Sequence, residues 1–136
     1  MDKKWLVAII DDELDIVNLF REALHNIKGV SIFTFTDATV AFEHFRFNNS
    51  AYVLVISDLR MPDINGLDLV YEVKKINPSV RTLLMTAFEV NDNLFQEYIK
   101  NRVINGFLQK PIKLGELHTE VIKQIGIFKR KSPTKY

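Results

Sequence analysis

At 136 residues the chain has the length of one ordinary domain, enough to bury a single core and too short for a second folded module. It has no cysteine, which excludes disulfides and thiolate metal sites and fits a reducing compartment, so the cytosol is the expected location. With 18 basic and 17 acidic residues, the net charge of +1 creates no long-range field toward nucleic acid or a membrane surface; neither is expected as a direct partner.

Trp5 to Ile10 is a short apolar run closed by Asp11-Asp12-Glu13, which predicts a buried strand. The same grammar recurs at Val30 to Phe35, Tyr52 to Ser57, Arg81 to Thr86 and Gly106 to Leu108, the last followed by Lys110-Pro111. Between these runs lie stripes with helical spacing. They are Ile16, Phe20, Ala23, Leu24 and Ile27; then Ala38, Ala41, Phe42 and Phe45; then Leu69, Val73 and Ile76. Leu94, Phe95, Tyr98 and Ile99 form a fourth, and Leu114, Leu117, Val121, Ile125 and Phe128 a fifth. Asp37 is expected to cap the second helix, Asn65-Gly66 to turn into the third, Asn77-Pro78 to end it, and Asn91 or Asp92 to begin the fourth. Residues 4–128 are expected to form the domain and 129–136 a basic, fraying tail.

Strands that are apolar throughout, each followed by an amphipathic helix, imply an α/β fold with a parallel sheet covered on both faces. In such sheets the ligand sits beyond the carboxyl ends of the strands. Asp11 and Asp12 end the first strand, Asp58 the third and Thr86 the fourth, while Lys110 follows the fifth. Three carboxylates at one edge repel each other by about 1 to 3 kcal/mol per pair at about 5 Å. A hard dication would balance them, and Mg²⁺ suits because it takes oxygen ligands while keeping waters and accepting a phosphate oxygen. Such a metal and the Lys110 ammonium would bracket a phosphoryl group, with the Thr86 hydroxyl in reach, and a carboxylate beside that site is a candidate nucleophile toward phosphorus.

The chain closely resembles the receiver domains of two-component response regulators. The resemblance rests on Asp11-Asp12 after the first strand, Asp58 followed by Met61-Pro62-Asp63 and Gly66, Thr86-Ala87 after the fourth, and Phe107 three residues before Lys110-Pro111. It implies a flavodoxin-like (βα)5 sandwich with a five-stranded parallel sheet of order 2-1-3-4-5. It also implies phosphoryl transfer to Asp58 from a phosphohistidine on a sensor histidine kinase or a histidine phosphotransfer protein. In this pattern Asp12, Asp58 and the backbone carbonyl of Arg60 bind Mg²⁺, and Asp11 acts mostly through water. Lys110 pairs with the carboxylate and then the phosphate, which Thr86 and the Ala87 amide also reach. Movement of Thr86 lets Phe107 turn, altering the output face made by the fourth helix, fifth strand and fifth helix. A homodimer through that face is left open. The activity implied is that of a phosphoacceptor signalling domain, with self-phosphorylation and slow autodephosphorylation only.

Two other readings compete. A haloacid dehalogenase-like phosphohydrolase also uses an aspartate nucleophile and Mg²⁺, but it needs a second aspartate two positions on, where this chain has Arg60. The other is a receiver-like module that binds without being phosphorylated. His25, His44 and His118 show no ligand spacing and are read as structural. Val103-Ile104 stands where the family usually has Gly-Ala, so the cap of the fourth helix is expected to shift to Asn101 or Asn105. Arg60 and Phe88 are bulky at variable positions beside the acceptor, which predicts a long-lived phosphoryl group.

Overall fold

A computed structural model of the chain describes residues 4–87, 93–101 and 103–131. In chain order the elements are β1 (Trp5–Ile10), α1 (Leu14–Leu24), β2 (Val30–Phe35), α2 (Ala38–Asn48), a short 3-10 turn, β3 (Tyr52–Asp58), α3 (Gly66–Ile76), β4 (Arg81–Thr86), α4 (Asn93–Lys100), β5 (Gly106–Gln109) and α5 (Leu114–Lys131). All strand pairs are parallel, in the order β2-β1-β3-β4-β5. This is the order implied by the resemblance.

Alternate residues of β1 explain why its sequence is apolar throughout. Val7 and Ile9 face a core layer with Val17, Phe20 and Leu24 of α1 and Leu117 and Val121 of α5. Ala8 and Ile10 face the opposite layer, with Ala41 and Phe45 of α2 and Leu69 and Val73 of α3. A third cluster, Val70, Leu84 and Ile104 with Tyr98 and Phe107 packed against it, joins α3 and α4 to β4 and β5. Each such buried side chain contributes about 1.5–3 kcal/mol relative to exposure. The consequence is a stiff sheet. Among the described residues no helix is long and apolar enough to cross a membrane.

Punctuation works largely as the residue types dictate. The Asp37 carboxylate accepts from the Thr39 and Val40 N–H groups at the start of α2, and the Asn65 side chain accepts from Asp68 N–H at the start of α3. Asn77 closes α3 by donating its N–H to the Val73 carbonyl. Gly29 sits at φ +83°, a left-handed turn before β2 that glycine adopts without steric cost.

Several expectations need correcting. Ile76 is 39% exposed and Leu114 38%, because each stands at a helix end where the stripe has run past the sheet. Ile27 lies beyond the end of α1. Asn105 does not cap α4: its N–H donates to the Thr82 carbonyl and its Oδ1 accepts from Thr82 N–H, which spends it on β4. The Tyr98 carbonyl of α4 instead accepts from the Val103 and Ile104 N–H groups. α5 continues through Lys131, past the expected boundary at Phe128. Asn91, Asp92 and the side chains of Leu94 and Phe95 lie outside the described residues, as do residues 132–136.

Candidate functional site

β3 is buried along all seven residues and carries Asp58 as its last one, level with Met85 on β4. Its end is held by short bonds: Ser57 Oγ donates to the Asp58 carbonyl at 2.9 Å, Leu59 N–H donates to the Met85 carbonyl at 2.9 Å, and Gly66 N–H donates to the Leu59 carbonyl at 2.8 Å. Ser57 was not singled out in the sequence; its only signal is a small hydroxyl between Ile56 and Asp58. On the neighbouring strand, Asp11 follows β1 and is fully buried, whereas Asp12 is exposed. Carboxylate oxygens of Asp11, Asp12 and Asp58 all lie within 4.8 Å of one another.

Lys110 is the counter-charge. Its Nζ stands 3.1 Å from Asp11 Oδ2 and 3.2 Å from Asp58 Oδ1. The side chain is aimed from a backbone pinned by Lys110 N–H donating to the Thr86 carbonyl at 2.7 Å, and the following Lys110-Pro111 bond is cis. Burial opposes the lysine's charge, but the carboxylates of Asp11 and then Asp58 outweigh it and hold the ammonium above its usual range. Asp58 is pushed upward, first by burial and then by Asp11, with Lys110 pulling the other way. One ammonium thus bridges two of the three acids, and the site is short of positive charge.

The acids are not equivalent. Asp11 has both oxygens engaged, Oδ1 accepting from Glu13 N–H and Oδ2 from Lys110. Asp12 forms no hydrogen bond or ion pair with the described residues, so its oxygens are available. A donor set made of hard carboxylate oxygens, without histidine or cysteine, fits a small hard dication such as Mg²⁺.

Asp58, Leu59, Arg60, Thr86, Ala87 and Lys110 line a hollow of about 250 Å³. Thr86 is almost fully buried. Leu84 pairs with Phe107 across β4 and β5, so Thr86, two residues on, lies on the same face of the sheet as Phe107. Phe107 is partly buried. The structure therefore gathers Asp11, Asp12, Asp58, Arg60, Thr86, Ala87 and Lys110 at one edge, with Phe107 just behind. Phe88 lies outside the described residues.

The histidines lie elsewhere. His44 Nδ1 is 2.7 Å from the Tyr52 hydroxyl, and its ring packs beside Phe33 and Phe35; burial pushes the Tyr52 phenol upward. His25 Nδ1 is 2.7 Å from the Glu22 carbonyl.

Comparison with known proteins agrees with this geometry. The family model described as response regulator receiver domain matches residues 7–122. The transcriptional regulatory protein RprY of Bacteroides fragilis (strain YCH46) is 26% identical over 117 residues, 86% of this chain and 48% of that protein. The DNA-binding transcriptional regulator NtrC of Azospirillum brasilense is 31% identical over 111 residues, 82% of this chain and 22% of that protein. This chain thus spans about half or less of the length of these curated relatives. The crystal structure of a response regulator receiver domain protein from Clostridium thermocellum superposes with a TM-score of 0.80 at 25% identity, covering 93% of this chain and 98% of that one. The chain belongs to the response regulator receiver domain family, a family of signalling domains of two-component systems with a flavodoxin-like fold. The phosphohydrolase alternative is not favoured: Arg60 stands where its second aspartate would be.

Proposed function

We propose that the chain is a phosphorylation-controlled switch whose acceptor is Asp58, supplied by the phosphohistidine of a sensor histidine kinase or a histidine phosphotransfer protein. The observation that carries this reading is the Lys110 ammonium placed between Asp11 and Asp58 at 3.1 and 3.2 Å, on a hollow also lined by Thr86 and Ala87. In the transfer an Asp58 carboxylate oxygen bonds to phosphorus, the P–N bond of the phosphoimidazole breaks, and the departing nitrogen takes up a proton. Lys110 offsets negative charge on the acceptor before transfer and on the phosphoryl oxygens after it. The Thr86 hydroxyl and Ala87 N–H, both from residues lining the hollow, would donate to those oxygens.

Asp12, Asp58 and the Arg60 carbonyl would hold Mg²⁺ directly, and Asp11 through water. Bound there, Mg²⁺ supplies charge neutralisation of the phosphoryl group. Drawing Thr86 toward the phosphoryl group frees space on the face it shares with Phe107, and inward rotation of that ring alters the α4-β5-α5 surface presented to a partner or output domain. Arg60 on the rim hinders approach of water, which favours a long-lived acyl phosphate.

The test is labelling by acetyl phosphate. Incorporation that requires Mg²⁺ and vanishes in Asp58→Asn supports the reading, as do beryllofluoride-induced shifts at the Thr86 and Phe107 amides. A domain left unlabelled under these conditions would instead be a receiver that binds without phosphorylation.

A further inference from the structure

A second cavity, of about 480 Å³, opens at the opposite edge of the sheet, where β4 and β5 begin. Its walls come from the end of α3, the turn into β4, the α4-β5 connection and the end of α5. Tyr71, Pro78 and Phe128 give it apolar surface. Lys74, Arg81 and Lys131 line it with positive charge, and no carboxylate is among its lining residues.

Lys74 is oriented without a carboxylate partner, whereas Arg81 also feels the charge of Glu120. Lys74 Nζ donates to Asn105 Oδ1 at 2.9 Å, and that amide is itself fixed by Thr82 N–H. Arg81 Nε donates to Gln124 Oε1 at 2.8 Å, and Gln124 Nε2 donates in turn to Glu120 Oε2. Among the described residues, neither Lys74 nor Arg81 forms an ion pair with a carboxylate. Lys75, also on the wall, is spoken for by Glu72 at 3.7 Å. Burial, and after it the charges of Arg81 and Lys131, push the Lys74 ammonium down to about 8. Folds rarely keep a partly buried lysine beside other cations, because desolvation and repulsion both oppose it. An anion would relieve both costs.

Size and surface narrow the anion. The volume falls in the range of about 300–1,000 Å³ typical of small-molecule sites. The Tyr71 ring is half exposed with Lys75 Nζ 5.7 Å from its centroid, so it offers a flat body an aromatic surface beside a cation. Arginine and lysine together favour phosphate, the first by its planar fork and the second as a point charge. We propose that this cavity binds a phosphate monoester carried on a flat apolar body, a ligand of the nucleoside monophosphate class, with Lys74, Arg81 and Lys131 taking the phosphate. β4 separates it from the acids, since Arg81 begins the strand that Thr86 ends. Both sites can therefore be filled at once.

The test is titration of the full chain with adenosine 5′-monophosphate, adenosine and inorganic phosphate in separate arms, followed by calorimetry and backbone NMR. The expected result is nucleotide binding with shifts at the Lys74, Arg81 and Asn105 amides, and roughly tenfold weaker binding of the other two probes. Lys74→Met and Arg81→Gln should each weaken the nucleotide about tenfold while acetyl phosphate labelling stays at the parent level. Lys131→Ala, at the exposed last residue of α5, gives a third variant that leaves the core intact. Adenosine binding as tightly as the nucleotide would overturn the role of charge, and phosphate binding as tightly would overturn the apolar body. No binding at millimolar nucleotide, or shifts confined to the Asp58 hollow, would overturn the site.

Discussion

Gly66 packs against the backbone of Asp58: a Cβ added to it would stand 2.9 Å from the Asp58 carbonyl carbon and 2.9 Å from Ser57 Oγ. Neither neighbour can yield, since the Asp58 peptide ends a fully buried strand and Ser57 Oγ is bonded to it. Gly66→Ala is therefore expected to cost about 1–3 kcal/mol, as overpacking does, and to shift the acceptor. Urea unfolding and acetyl phosphate labelling check both parts. Parent-like stability with parent-like labelling would show that the close approach constrains nothing.

Asp12 gives a cleaner handle on the metal. It is exposed and unpartnered among the described residues, so in EDTA Asp12→Asn should raise the melting temperature slightly, by removing one of three crowded carboxylates. Mg²⁺ at about 100 times its Kd should stabilise the parent by about 2.7 kcal/mol, and the variant by much less. Thermal unfolding with and without Mg²⁺ decides it. An equal increment in both proteins would remove Asp12 from the ligand set.

Lys110→Ala leaves the fully buried Asp11 facing Asp58 with no ammonium between them. Breaking a buried pair costs about 3–5 kcal/mol, and the quarter exposure of Lys110 lowers the expectation to about 1–3 kcal/mol. Mg²⁺ should restore part of that loss by taking over the neutralisation. Labelling of Asp58 should persist, while the phosphorylation-dependent shift at the Phe107 amide disappears. A full Phe107 response in this variant would deny Lys110 its coupling role.

For Lys74 the sign of the pH effect follows from burial. Its ammonium titrates near 8 in the folded chain and at the ordinary 10.5 when unfolded. Between those values the unfolded chain holds a proton that the folded one has lost, so stability of the parent rises with pH across that window. Below pH 8 the cost of the buried charge is present in full. The melting temperature of Lys74→Met minus that of the parent should therefore be largest near pH 7 and fall toward pH 10. A difference independent of pH would mean that the lysine is not destabilised by its surroundings.

The strands were legible in the sequence for a physical reason: a sheet covered on both faces makes β1 and the middle of β3 and β4 apolar at consecutive positions, so runs such as Trp5–Ile10 have sharp edges. Hydropathy cannot show where a strand ends on a polar residue. β5 was accordingly expected to stop at Leu108, although Gln109 still pairs with Thr86. Asn65 and Asp37 were legible as caps because their side chains bond within their own turn. Asn105 was not, since its partner Thr82 is set by the β4-β5 pairing. At the acid edge the residue types were readable in order along the chain, but the division of labour was not. That Lys110 bridges Asp11 as well as Asp58, while Asp12 is left open, emerges only when β1, β3 and β5 are set side by side. The cationic cavity had no signal at all, because it is assembled from the ends of elements scattered between Tyr71 and Lys131.

The order β2-β1-β3-β4-β5 places Asp11 and Lys110 in contact although 99 positions separate them. During synthesis the ribosome releases every acid of the edge well before the amine. A nascent chain halted short of β5 would bring carboxylates together with nothing to hold them, so docking of the last strand is what makes the edge tolerable. With Asp58 as the proposed acceptor, competence to accept a phosphoryl group would be tied to completion of the sheet.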